Sequence, residues 1–440
     1  MNEPIQTIEI LEKKKALKWL QRLKDESWEA ELLVSAIAIF GTFQLFGVVD
    51  WVTNKYIDLL PLEQYMYGYF IVFMGLLAVS ILVSMFVIHF FLRAYWIGLV
   101  GLNSVFPDYG MEDSVYSKIY TEKILEILPK QENTIQKVDE LCSVIFSAAF
   151  TILLIYTYLA VSMSIYLLIY NVLSAYVPTY LLLIPPLLVG VLVLFQTIFG
   201  IIGNLKRFKK NATIQIWLFK LVKYVSMVTY GPLYKYLLQV SMVFGSNFKK
   251  KKSLVYLVLL FFVSGMCVAV VKVMDTNIFY LIRQDTFYED QMYLSYYYDQ
   301  NPDNSFIVSP QIQSDIIEGN TVKLFIPIFY NERNYQDALC GKLGDDEELS
   351  RKDNMLKSRK YYLDCYGKYH SVFLNGNQVS LDFFKKDHQV SNQFGIVGFI
   401  DNELLKNGEN TLVVTKTLGD VKEFTWTIPF FYQPNSHKGL

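Results

Sequence analysis

The sequence lacks every common signature of a catalytic centre. There is no phosphate-cradling glycine loop, because Gly341-Lys-Leu-Gly344 is too short and follows no strand pattern. No His-Glu-x-x-His or Gly-x-Ser-x-Gly motif occurs. Histidine is sparse at 4 residues, and His370, His388 and His437 are scattered, so no metal site is expected. The acidic run Asp345-Asp346-Glu347-Glu348 lacks the alternating ligands and glycine turn of a calcium loop and reads as a solvated loop. These absences point away from an enzyme, and no cofactor is expected.

Charge is also scarce, at 18% of the chain against 53% hydrophobic residues. It is unevenly spread. Residues 275–440 carry 16 Lys/Arg and 23 Asp/Glu, which leaves the remainder basic. Basic residues without the strand framework of a nucleic-acid module argue for a membrane surface rather than nucleic acid. The first 25 residues are charged and hold no apolar core, so no cleavable signal peptide is expected and targeting falls to the first span.

A span needs about 20 apolar residues. Five segments qualify: about 32–51, 65–92, 141–173, 179–203 and 254–271. The third contains no formal charge, Gly or Pro, and reads as one long tilted helix. Alternating segments before 29, over 93–140 and over 204–252 hold 22 Lys/Arg, whereas the opposing short loops hold Lys55 alone. The positive-inside rule then puts the N-terminus in the cytoplasm and the last third of the chain outside. A multi-pass protein of the cell membrane, a bacterial inner membrane in particular, is the expected location.

Polar groups within the spans are few. Gln44 lies in the first, and His89 and Arg93 lie near the inner end of the second. Arg93 is expected to snorkel to the headgroups and His89 to be satisfied by a neighbouring helix. No acidic or basic ladder crosses the membrane and no repeat relates the halves, which argues against an ion-coupled pump. Ser143, Ser147 and Thr151 recur every four residues, a spacing suited to helix packing. Pro185 and Pro186 fall within the fourth span and predict a kink or hinge.

The stretch 204–252 has eleven basic residues and no acidic one. Lys206, Arg207, Lys209 and Lys210 stand at one end and Lys249, Lys250, Lys251 and Lys252 at the other. Between them, apolar stretches split by Gly231-Pro232 predict a helical hairpin on anionic lipid at the inner leaflet, with a re-entrant hairpin as the alternative. Residues 11–23 predict another surface-lying helix in the segment 1–28, and 114–128 an amphipathic helix stopped by Pro129. Residues 94–106 continue the second helix.

Within 275–440 the pattern changes to period two. Strands are expected over 322–328, 371–379 with a turn at Asn375-Gly376, 394–400, 411–416 and 423–430. Their spacing predicts an all-β, sandwich-like domain. The charged residues 345–360 predict a short helix or loop. Cys340 and Cys365 fall in this tail, and a disulfide between them would stabilise it by roughly 3–4 kcal/mol. Tyr280, Tyr288, Tyr293, Tyr296, Tyr297 and Tyr298 follow the last span and suit the outer interface, core packing or a partner.

The expected architecture is a helical membrane domain over 29–274 followed by a β-rich extracytoplasmic domain over 275–440. The expected function is non-enzymatic. The base anchors in the lipid bilayer and forms a homo-oligomer or membrane complex, while the outer domain binds an envelope protein or ligand. The alternatives are a subunit of an oligomeric channel or transporter, and a membrane enzyme with an outer-face site near Asp50 and Glu63.

Overall fold

The computed structural model describes residues 28–107, 115–174, 176–248, 252–283, 291–300, 306–341, 343, 350–418 and 422–434. The N-terminal part is helical and the C-terminal part is sheet-rich. The helices are α1 (Trp28–Leu59), α2 (Tyr65–Val105), α3 (Lys118–Ile127), α4 (Gln131–Leu173), α5 (Thr179–Gly203), α6 (Ala212–Tyr230), α7 (Tyr234–Phe248) and α8 (Lys252–Val273). Among the described residues, α1, α2, α4 and α5 are long and apolar enough to cross a membrane. The described apolar stretch of α8, Val258–Val273, is shorter.

The chain divides into two compact units. The first takes residues up to Gly47 and Met74–Lys272. Its core packs Leu82, Met85 and Phe86 of α2 against Ile145 and Ala149 of α4 and Phe261 of α8. Close approach sets this packing. A Cβ on Gly265 of α8 would lie 2.5 Å from Ile81 Cγ1 and 2.8 Å from its Cα, so nothing larger than hydrogen fits. α5 is continuous through Pro185 and Pro186. Pro186 has no N–H to offer the Leu182 carbonyl four residues back, and the Tyr166 hydroxyl of α4 donates to that carbonyl instead. Over the stretch where a hairpin is expected the chain forms two helices, α6 and α7, joined by a 3-10 turn at Gly231–Leu233. Asn211 caps α6 by accepting from the backbone N–H groups of Thr213 at 3.1 Å and Ile214 at 3.3 Å.

The second unit takes Val48–Phe73, which is the end of α1 and the start of α2, together with residues from Val273 onward. Its strands are β1 (Ile316–Ile317), β2 (Thr321–Pro327), β3 (His370–Leu374), β4 (Asn377–Gln378), β5 (Phe384–Asp387), β6 (Phe394–Asp401), β7 (Gly408–Leu418) and β8 (Lys422–Tyr432). They form a five-stranded sheet in the order β1-β8-β7-β3-β4 and a three-stranded sheet in the order β2-β6-β5. Both sheets line one hydrophobic cluster, with Val322, Leu324 and Ile326 from β2, Ile396 and Ile400 from β6, and Leu412, Val414, Trp426 and Ile428 from β7 and β8. The β3–β4 hairpin turns at Asn375-Gly376, both with positive φ (52° and 84°), as the Asn-Gly pair anticipates.

Two further helices, α9 (Arg333–Cys340) and α10 (Arg351–Tyr369), lie between β2 and β3. The disulfide Cys340–Cys365 ties them, with a Cα–Cα distance of 5.7 Å. α10 corrects the expectation of a short helix or loop over 345–360: it runs 19 residues, capped by Ser350, and its last turns enter the core through Cys365, Tyr366 and Tyr369. The surface-lying helix expected over 11–23 falls outside the described residues.

Candidate functional site

Polar side chains buried in an apolar setting persist only when paired. Two such clusters stand out, one in each unit.

In the first unit, Arg93 is 1% exposed and pairs with Asp139 of α4 at 2.7 Å. Its guanidinium also lies 4.5 Å from the centre of the Trp96 ring, one turn along α2. The snorkelling expected of Arg93 is therefore corrected. The chain offers it a carboxylate within the bundle, and that partner outcompetes an outward reach. His89 is fully buried and shares a 2.8 Å hydrogen bond with Ser35 of α1, the neighbouring-helix partner anticipated for it. Gln44 is exposed on α1. Thr151 folds its hydroxyl back onto the Ser147 carbonyl at 2.8 Å; Ser143 is half-buried and Ser147 exposed. Lys206, Arg207, Lys209 and Lys210 are exposed between α5 and α6. Lys249, Lys250, Lys251, the Lys252 side chain and Tyr288 lie outside the described residues.

The second cluster centres on Glu332, which is 1% exposed. Its Oε1 accepts from the Phe329 backbone N–H at 2.9 Å and from Lys416 Nζ at 2.8 Å, and its Oε2 accepts from the Tyr369 hydroxyl at 3.0 Å. Lys416 also donates to the Pro327 carbonyl at 3.1 Å and stands 5.4 Å from the centre of the Phe329 ring. Burial and the Glu332 charge hold the Tyr369 phenol well above its ordinary range. Burial, then the Lys416 charge, holds His370 well below the usual imidazole range. His370 Nδ1 therefore carries the proton of a neutral ring and donates to the Tyr366 carbonyl at 2.6 Å.

Next to Glu332, Asn331 reaches the end of α1. Its Nδ2 donates to the carbonyls of Ile57 at 3.0 Å and Leu60 at 2.7 Å, and lies 2.9 Å from the Tyr65 hydroxyl. The last carbonyls of a helix have no partner within it. Here the amide of a residue more than 270 positions away supplies one. Around it, the Tyr330 N–H donates to Asp58 at 2.9 Å, the Tyr335 hydroxyl to Glu63 at 3.2 Å, and Asn277 to Asn54 at 3.1 Å. Burial, then the Glu63 carboxylate, pushes Tyr335 up to about 12.

The Glu332 and Lys416 side chains are nearly closed to solvent. Among the described residues no group of three or more His, Cys, Asp or Glu side chains is placed to hold a metal.

The tyrosines after the last span divide. Tyr280, Tyr296 and Tyr297 are buried, and Tyr297 donates to the Pro429 carbonyl at 2.5 Å. Of the roles open to them, core packing is the one these three take, which removes them from any outer-interface surface. Tyr293 is half-buried and Tyr298 is exposed.

The Glu332–Lys416 pair was missed in the sequence, although one half of it leaves a trace. Lys416 has the same strand parity as Leu412, Val414 and Leu418, so a charge stands where the alternation demands an apolar residue. Glu332 carries no such mark. No protein-family model matches the chain, and neither curated proteins nor solved structures give a match.

Proposed function

We propose that this is a non-enzymatic, multi-pass membrane protein whose C-terminal unit is a binding domain fastened to the first helix pair. The observation that carries the proposal is the Asn331 joint. A domain whose amide caps α1, and whose Tyr330 and Tyr335 engage Asp58 and Glu63, moves with the α1–α2 turn rather than swinging on a linker. A partner held by the domain thus acts on the end of α1 and the start of α2, which belong to the same compact unit.

In this reading the protein resides in the cell membrane with its N-terminus in the cytoplasm, α8 is a fifth span, and the β-domain is a sandwich outside. The excess of basic residues in the inner segments and the Cys340–Cys365 bridge, which suits an oxidising compartment, support that orientation. The apolar side chains exposed around α5 meet lipid or a second copy. The exposed lysines between α5 and α6 meet anionic headgroups.

The test is topology followed by capture. Protease added to intact spheroplasts should remove the C-terminal third, and mild-detergent purification from native membranes should retain an envelope protein. A tail digested only in inverted vesicles would overturn the reading.

A further inference from the structure

On the outer face of the three-stranded sheet, β2 and β5 flank β6, and each contributes one lysine. Lys323 and Phe325 share a face of β2, opposite Phe399 and Val397 of β6. Lys386 of β5 stands opposite Gly395. Gly395 is required: a Cβ there would lie 2.5 Å from Phe325 Cζ, so the ring can cross β6 only over a glycine. Both lysines line one cleft of about 60 Å³, close enough for the Lys386 charge to act on Lys323. Tyr298, Phe325 and His388 line it with ring surfaces, and Phe325 and Tyr298 pack against His388 at 5.2 Å and 5.5 Å between ring centres.

The other polar heads in the cleft are already engaged. His388 Nδ1 accepts from the Ser391 backbone N–H at 3.2 Å, so Nε2 carries the proton and donates to Gln311 Oε1 at 3.1 Å. Gln313 donates to the Thr321 carbonyl at 2.8 Å and accepts from the Lys323 N–H at 2.8 Å. The lysines differ. Among the described residues neither makes an ion pair, and Asp387, exposed at the rim, contacts neither within 4.0 Å. Burial and the facing Lys386 charge hold Lys323 below the usual lysine range. Two cations crowded together are unfavourable unless an anion lies between them, and this pair occurs in a segment with 23 acidic and 16 basic residues, where carboxylate partners abound. A volume of about 60 Å³ has room for about two waters, enough to seat the oxygens of a carboxylate or phosphate head whose remainder projects from the open mouth of the cleft.

We propose that the cleft between Lys323 and Lys386 binds the anionic head of an external ligand, a carboxylate or a phosphate, with the body of the ligand stacked on Tyr298. It rests on the reading of this unit as a binding domain and adds the ligand class. The lysines supply charge-assisted hydrogen bonds and the ring surfaces supply apolar contact, a pairing suited to an acidic sugar or a sugar phosphate.

The test uses the full chain in neutral detergent and equilibrium dialysis with galacturonate, inorganic phosphate and neutral galactose. At least one anion should bind with a dissociation constant of about 1 mM or lower, and galactose at least about tenfold more weakly. Preference for phosphate assigns a phosphoryl ligand, and preference for galacturonate assigns an acidic sugar. The double variant Lys323→Met/Lys386→Met should lose at least about tenfold in anion affinity with its melting temperature unchanged or raised, since it removes a repulsive pair. If the wild-type protein binds both anions no better than galactose, the proposal is overturned with no variant needed. The wider reading fails differently: a protein that captures its envelope partner but ignores anions sinks only the cleft.

Discussion

Removing either half of the Glu332–Lys416 pair should cost far more than removing both. Each side chain is nearly inaccessible, at 1% and 4% exposure, so neither can recruit water when its partner is lost. Breaking a buried pair from one side costs roughly 3–5 kcal/mol. The structure ranks the two single changes. In Lys416→Met, Glu332 keeps the Phe329 N–H and the Tyr369 hydroxyl as donors, so the loss should lie near the lower figure. In Glu332→Gln, Lys416 keeps the Pro327 carbonyl, ring faces and a neutral amide oxygen but no counter-charge, so a buried cation is left uncompensated and the loss should approach the upper one. The double variant Glu332→Gln/Lys416→Met buries no charge and forfeits little beyond one hydrogen bond, about 1–2 kcal/mol. Hydrogen exchange of the β7 and β8 amides in the full chain reads these values locally, which avoids treating the whole protein as two-state. Losses that simply add in the double variant would refute the argument, because additivity means the two charges do not interact.

The same method tests the joint. Asn331→Leu should leave the Leu60 carbonyl without its donor, while the Tyr65 hydroxyl still donates to Ile57, and cost about 1–3 kcal/mol, seen as faster exchange and new proteolysis near residues 57–65. Gly265→Val should push α8 off α2 and lower the melting temperature of the purified protein by an amount equivalent to about 1–3 kcal/mol, whereas Val263→Ala on an exposed position should not. His370 and His388 both have folded-state pKa values below the ordinary 6.5, His370 through burial and Lys416, His388 through burial and Lys323. Their neutral forms favour the fold, so this contribution is present above pH 6.5 and is lost as pH falls toward the depressed values. Thermal melts should show stability dropping below about pH 6.5, and His388→Gln should flatten part of that slope.

Much of the secondary structure was legible because its signals are local. Apolar runs of span length mark α1, α2, α4 and α5, and the Pro129 stop marks the end of α3. Alternation marks β2, β6, β7 and β8, and Asn375-Gly376 fixes the β3–β4 turn. Each of these depends on a window of a dozen or so residues, and the physics that forms them acts over the same distance. A shared place in the polar tail also brought Cys340 and Cys365 into view as a pair. The polar core was not legible. Arg93 resembles a headgroup-seeking arginine until α4 brings Asp139 beside it. Tyr296 and Tyr297 resemble interface aromatics until the sheet core buries both and Pro429 of β8 accepts from Tyr297.

The sequence by itself determined the long apolar helices and the alternating strands, since hydrophobic period and length act along the chain, but not the full extent of α10 or the presence of α9, β1 and β5. Tertiary structure alone decided where the buried charges end and what caps α1. Lys416 meets Glu332 across 84 positions, and Asn331 meets Leu60 across 271. A buried ion or an orphan carbonyl states only that some partner is needed. Which residue answers depends on how the whole chain packs, and no local pattern records that.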